Sequence, residues 1–278
     1  MGLVSDISLY ERAGSDQIQL FGIPVANVTP DEAIETVRGF LYEDKLHHIV
    51  AVNTNKFWQA EHIPGIYDIL KRAEMVIPEY GAVWASKILG TPLKANVRGV
   101  GLFLSLMPKF EEWAVPVFFL GAREETLRGM VQTIRRKYPR LRIAGARNGF
   151  YEASQEDEIV SEINASGAAA LFVAMGSPRQ EYFIERHRGK LATKVAMGVG
   201  GSFDVLSGHK KDAPAWTHCG VEWLYRLWLD PKNLLKRYAR VHPWFVSRTL
   251  LACLAGTSTR RRAQTGAAIA VSHRRYPT

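Results

Sequence analysis

Short apolar, β-branched runs alternate along this chain with longer segments whose apolar residues recur at helical spacing. The runs at 18–23, 48–52, 75–77, 115–120, 141–144, 169–175 and 195–199 predict strands. The segments 30–42 (opened by Thr29), 81–89, 101–113, 124–137, 154–166 and 178–187 predict helices. Such alternation predicts an α/β fold, a largely parallel sheet flanked by helices. Beyond residue 208 the strands stop. Residues 213–229 and 231–254 read as helices carrying Trp216, Trp223, Trp228 and Trp244, with Pro243 expected to kink or divide the second. The expected division is an α/β core over 1–208, a helical C-terminal appendage over 209–256, and a basic, flexible tail over 257–278.

In parallel α/β sheets ligands collect beyond the carboxyl ends of the strands, and the polar and glycine-rich motifs fall there. Asn53-Thr54-Asn55, Pro78-Glu79-Tyr80-Gly81, Gly121-Ala122-Arg123, Gly176-Ser177-Pro178-Arg179-Gln180-Glu181 and Gly198-Val199-Gly200-Gly201-Ser202-Phe203-Asp204 each follow a strand candidate, as if aimed at one cleft. A tight turn explains any one glycine. Their joint placement favours backbone approach to a phosphate. Neither Gly99-Val100-Gly101 nor Gly198–Gly201 completes a dinucleotide fingerprint, which disfavours a nicotinamide enzyme.

Glu79, directly beyond an apolar strand, is the candidate general base; an exposed loop acid is the competing reading. Pro178 suits a helix start. Gln180 and Glu181 in the following turn suit either a capped helix or a grip on sugar hydroxyls. Arg98, Arg226 and Arg237 are candidates for a diphosphate, Arg226 first because it sits among aromatics. Asn53, Asn55, Tyr80, Gly81, Gly121, Gly176, Gly200, Gly201, Phe203 and Asp204 complete the candidate substrate-binding set. The eight histidines form no metal triad, and no metal or cofactor is expected.

Composition narrows the partners. Of the 278 residues, 47% are hydrophobic and 23% charged, a composition that folds into one large domain or two small ones. Cys219 and Cys253 cannot build a disulfide framework. The start of the chain lacks a signal-peptide pattern, and no stretch has the length of a spanning helix, so a cytoplasmic setting is expected. The net charge of +9 is concentrated late. From Asp230 onward that single acid faces Lys232, Lys236, Arg237, Arg240, Arg248, Arg260, Arg261, Arg262, Arg274 and Arg275. Such a block suits nucleic acid, an anionic membrane or a phosphorylated substrate. Interleaving with Leu234, Leu235, Tyr238, Val241, Phe245, Leu250 and Leu251 fits a helix lying at a lipid interface, or one packed on the domain with a solvated basic face.

These motifs resemble the WecG/TagA/CpsF family of bacterial glycosyltransferases, glycosyltransferase family 26, over about residues 18–238. The most specific parts are Gly176–Glu181, similar to the family's Gly-x-Pro-Lys-Gln-Glu, and Gly198–Asp204 with Gly208. Ala213-Pro214-Ala215-Trp216, Glu222–Arg226, Asp230-Pro231 and Arg237-Tyr238 match the family's end pattern. Asn53, Gly121, Tyr138-Pro139 and Gly149-Phe150 match more weakly. Where the family has Pro-Asp-Gly this chain has Pro78-Glu79-Tyr80-Gly81, and a family threonine is Ala51 here. The resemblance implies a Rossmann-like, inverting, metal-independent transferase. Its donor would be a UDP-sugar and its acceptor a saccharide on undecaprenyl pyrophosphate, in envelope or exopolysaccharide synthesis. The basic appendage would hold the enzyme at the inner face of the cytoplasmic membrane; a homo-oligomer is compatible with this. Two other readings stay open: a non-catalytic partner subunit of a transferase complex, and a basic nucleic-acid binder, although no nucleic-acid recognition module is visible.

Overall fold

Strand β7 (Ala170–Ala174) is apolar at every position and buried on both faces, as a central parallel strand must be. Ala170, Phe172 and Ala174 point into one core layer, Leu171 and Val173 into another. The computed structural model describes residues 16–209, 214, 217 and 222–272, with side chains up to 255 except those of 226 and 233. Around β7 it builds a six-stranded, all-parallel sheet in the order β4-β3-β8-β7-β5-β6. The other strands are β3 (His47–Val52), β4 (Met75–Pro78), β5 (Val117–Gly121), β6 (Ile143–Arg147) and β8 (Val195–Gly198). The fold is α/β and Rossmann-like.

On one face pack α1 (Pro30–Phe40), α5 (Gly99–Glu112) and α6 (Glu124–Lys137). Thr29 and Glu32 form the capping box that starts α1. Leu127, Met130 and Ile134 give α6 the buried stripe its periodicity calls for. The other face carries α2 (Thr54–His62), α3 (Ile66–Arg72) and α4 (Tyr80–Ile88) over β3 and β4. There α7 (Glu156–Ala165) and α8 (Arg179–Arg186) cover the rest. A short α9 (Ser202–Leu206) follows β8, and α10 (Glu222–Leu229) and α11 (Pro231–Ser272) end the described chain.

Three expectations change. Residues 18–23 are two strands rather than one. The hairpin β1 (Gln17–Leu20) and β2 (Ile23–Ala26) turns at Phe21 and Gly22, with φ of 53° and 80°, and forms a separate antiparallel sheet. Helices α2 and α3 were not anticipated, being short and separated by Pro64-Gly65. Pro243 does not divide α11, which is helical from Pro231 to Ser272. Val241, Phe245 and Thr249, at successive four-residue steps, are buried around Pro243 and hold the helix on the domain. The same helix carries the backbone past Gly256.

His48, in the middle of β3, is fully buried, and among the described residues neither ring nitrogen has a hydrogen-bond partner. Burial, then the positive charges of Arg188 and Lys56, push its pKa down to about 3. The native state therefore keeps His48 neutral while the unfolded chain protonates near pH 6.5. Its contribution to stability is complete above that value and is lost as the pH falls from about 6.5 toward 3. At about 1.4 kcal/mol per pH unit, the loss reaches roughly 2 kcal/mol at pH 5. Urea unfolding at pH 7 and pH 5 should show a smaller drop for His48→Leu than for the wild type; equal drops would refute this origin of the acid sensitivity.

Candidate active site

Parallel register brings the first functional pair together. Val52 of β3 is level with Pro78 of β4, so the next residues, Asn53 and Glu79, emerge side by side at the carboxyl edge. Asn53 caps α2, its Oδ1 accepting from the Lys56 N–H at 3.0 Å. Its Nδ2 donates to Glu79 Oε2 at 3.0 Å. The other oxygen of Glu79, Oε1, accepts from the Gly99 N–H at 2.9 Å, at the start of α5. Both carboxylate oxygens are thus fixed in direction. A Cβ on Gly99 would lie 2.9 Å from Ala51 Cβ and 3.3 Å from Glu79 Oε1, so glycine leaves the room this carboxylate occupies.

The second cluster comes from β7, β8 and α2. Glu181 and Lys56 form a buried ion pair, Nζ to Oε1 at 2.7 Å, with 1% and 5% of their surfaces exposed. Lys56 Nζ also donates to Ser177 Oγ, whose hydroxyl donates to Gln59 Oε1 at 2.6 Å. Gln180 Nε2 donates to Glu181 Oε1 at 2.9 Å, and Gln180 Oε1 accepts from the Gly200 N–H at 3.1 Å. A Cβ on Gly198 would lie 2.3 Å from Gln180 Nε2, so glycine there makes the approach possible.

Both clusters open into one cleft of about 660 Å³, within the range of small-molecule sites. Its base lies along the carboxyl ends of β4, β3, β8 and β7. Because β3 separates β4 from β8, Glu79 and the Gly200 loop stand two strand spacings apart, about 10 Å. Tyr80 and Trp84 of α4, Trp223 of α10, and Tyr238, His242, Phe245 and Val246 of α11 make an aromatic and apolar wall. Arg98 lines the cleft paired with Glu222, Nε to Oε2 at 3.1 Å, which ties α5 to α10. Arg237 lines it from α11, its guanidinium 5.3 Å from the Tyr238 ring centroid. His242 sits between the Trp223 and Tyr238 rings, at 4.8 and 4.9 Å. Burial, and then Arg237, hold its pKa below the usual histidine value.

Of the residues expected at a substrate site, the structure brings Asn53, Asn55, Glu79, Tyr80, Gly81, Arg98, Gln180, Glu181, Gly200, Gly201 and Arg237 to this cleft. Five others do not line it. Gly121 follows β5, beyond β7 in the strand order, and its missing Cβ makes room for the Ala174 carbonyl, which a Cβ would meet at 2.4 Å. Gly176 turns the chain with φ of 75°, and Pro178 caps α8; only Ser177 between them reaches the cleft. Phe203 is core, its ring 5.7 Å from Phe119 and 6.1 Å from Phe103. Asp204 sits in the first turn of α9 behind the glycine loop. The Arg226 side chain lies outside the described residues. The Gly200 N–H, expected to face a phosphate, donates to Gln180 instead. Lys56, Trp84, Asn96, Trp223, Tyr238 and His242 line the cleft without having been singled out for it. The aromatic density of 223–245 was the available signal for three of them. Among the described residues, no three His, Cys, Asp or Glu side chains form a metal-holding group.

A Rossmann-like sheet with a doubly held carboxylate at its carboxyl edge, facing an aromatic wall, is compatible with a transferase site, and comparison with known proteins places the chain among the glycosyltransferases. It belongs to the WecG/TagA/CpsF family of glycosyl transferases, whose pattern it matches over residues 18–259. It is 35% identical over 194 residues to the N-acetylglucosaminyldiphosphoundecaprenol N-acetyl-beta-D-mannosaminyltransferase of Bacillus spizizenii, covering 69% of this chain and 75% of that protein. It is 29% identical over 215 residues to the enzyme of the same name from Bacillus subtilis (strain 168), covering 76% and 83%.

Proposed function

We propose that this enzyme transfers a sugar, with inversion and without a required metal ion, from a UDP-sugar to a saccharide carried on a polyprenyl diphosphate, at the inner face of the cytoplasmic membrane. The observation that carries the proposal is the Glu79 carboxylate, fixed by Asn53 and Gly99 about two strands away from the Gly200-Gly201 loop. That separation accommodates a sugar ring between base and leaving group. The acceptor hydroxyl gives its proton to Glu79 while its oxygen bonds to the anomeric carbon. The bond from that carbon to the diphosphate oxygen breaks on the opposite face, and UDP departs with the electron pair.

The Gly201 N–H, Arg237, Arg98 and Arg226 are assigned to the diphosphate, where preorganised positive charge stabilises the developing negative charge. Asn53, Asn55, Tyr80, Gly81, Gln180 and Glu181 are assigned to sugar and nucleotide contacts. The named relatives act on an undecaprenyl-diphosphate acceptor, which supports the lipid-linked substrate here. No described helix is long and apolar enough to cross a membrane. The exposed Trp228, Leu235, Leu250, Leu251 and Leu254 beside basic residues favour a peripheral attachment. A panel of UDP-sugars against synthetic polyprenyl-diphosphate saccharides, with and without chelator, tests the whole reading. One donor should yield UDP and an anomerically inverted product at the same rate in both conditions. A retained anomer, or loss of transfer with chelator, would overturn the corresponding part.

A further inference from the structure

Lys56 is a charged side chain almost out of contact with water, and neither the base nor the diphosphate site has been assigned to it. Its backbone N–H donates to Asn53 Oδ1, and Asn53 Nδ2 holds Glu79. Its Nζ holds Glu181, Glu181 holds Gln180, and Gln180 holds the Gly200 N–H. One residue thus touches both chains of contacts, one ending at the base on β4 and the other at the glycine loop on β8. Ser177 and Gln59 fix the ammonium from behind. A buried ion pair adds little net stability, since the cost of desolvating both charges offsets their attraction. Its effect is to confine geometry, and the geometry confined here is the spacing between the base and the loop that meets the leaving group.

We propose that the Lys56 side chain is the positioning group that sets this spacing from the loop side, acting through Glu181 and Gln180 on Gly200, while the backbone N–H of the same residue, which any side chain there would keep, ties Asn53 and so Glu79 to α2. The inference rests on the glycosyl-transfer reading for its catalytic consequence, but not for its structural one. Lys56→Met leaves Glu181 as an unpaired buried carboxylate and loses stability. Lys56→Met with Glu181→Gln removes both charges and is expected to recover the fold while still lacking the charge-assisted anchor.

Hydrogen exchange on the full-length proteins reads the loop without any substrate. The Gly200 amide should exchange at least about tenfold faster in the double variant than in wild type, with amides of β5 and β7 unchanged. Transfer assays read the consequence. The kcat of the double variant should fall about a hundredfold, as expected for a displacement of about 1 Å between reacting groups, with the acceptor KM within about threefold. Lys56→Arg should restore part of both. Unchanged exchange at Gly200, or wild-type kcat in the double variant, overturns the proposal. If wild-type protein transfers nothing from any donor, the functional reading fails instead, and the exchange result alone decides the role of Lys56.

Discussion

Glu79→Gln is expected to lower kcat by about a thousandfold, within the range lost when a general base is removed, with UDP affinity within about threefold of wild type. The substitution keeps the side-chain length and one oxygen. It removes the only feature the chemistry requires, an atom able to take the acceptor's proton in the transition state. It also puts an NH2 group where one of the two donors, Asn53 Nδ2 or the Gly99 N–H, now meets an acceptor, so one of these hydrogen bonds is lost. Glu79→Asp separates these effects. The carboxylate survives but is withdrawn by one methylene from both donors, and kcat should fall by about ten- to a hundredfold, the scale of misplacement rather than loss. Steady-state kinetics with a synthetic acceptor, beside calorimetric titration of UDP, measure both parameters. Turnover by Glu79→Gln within threefold of wild type would remove Glu79 from the catalytic role and shift attention to His242 and Glu222, which also line the cleft and can accept a proton.

The parts of this protein that were legible in its sequence are those written in neighbouring residues. Apolar runs such as Val117–Gly121 gave central strands because both faces are buried. Helical periodicity gave α6, whose buried stripe is Leu127, Met130 and Ile134, and Thr29 gave the start of α1. The place of Glu79 at the cleft was legible because it directly follows a short apolar strand, which puts it at the sheet's carboxyl edge. What escaped depends on strand order and on distant pairing. Gly121 and Gly200 look alike as glycines after strands. The sheet nevertheless places β5 outside β7 and β8 beside β3, so one glycine packs against Ala174 and the other borders the cleft. Lys56 and Glu181 are 125 positions apart, and nothing local in Asn53-Thr54-Asn55-Lys56 marks a buried ammonium. Phe203 was drawn to the site by its place in a glycine-rich motif, whereas its ring completes the aromatic core under the same loop.

The apolar strip on α11 should decide whether the enzyme reaches the lipid-linked acceptor proposed for it. Val246 lines the cleft, and Leu250 and Leu254 follow it at four-residue steps on the same helical face, with Leu251 adjacent. The strip therefore leads away from the cleft mouth. The leucines are exposed by 50%, 66% and 62% for Leu250, Leu254 and Leu251, and the opposite side of the helix is fixed to the domain through Val241, Phe245 and Thr249. Moving three leucines of this exposure into an acyl boundary is worth about 3 kcal/mol, taking roughly half the full burial value for each. Lys232, Lys236, Arg240 and Arg248 add attraction to anionic headgroups that falls with salt. Leu250→Glu, Leu251→Glu and Leu254→Glu combined should therefore weaken co-flotation with anionic liposomes at least about a hundredfold. Turnover on a vesicle-bound acceptor should fall in parallel. UDP binding, and turnover on a short-chain acceptor in solution, should stay within about threefold, since none of the three leucines lines the cleft. Flotation equal to wild type at low and high salt would place the membrane contact elsewhere. Loss of the short-chain activity as well would mean that the strip supports the cleft rather than the lipid.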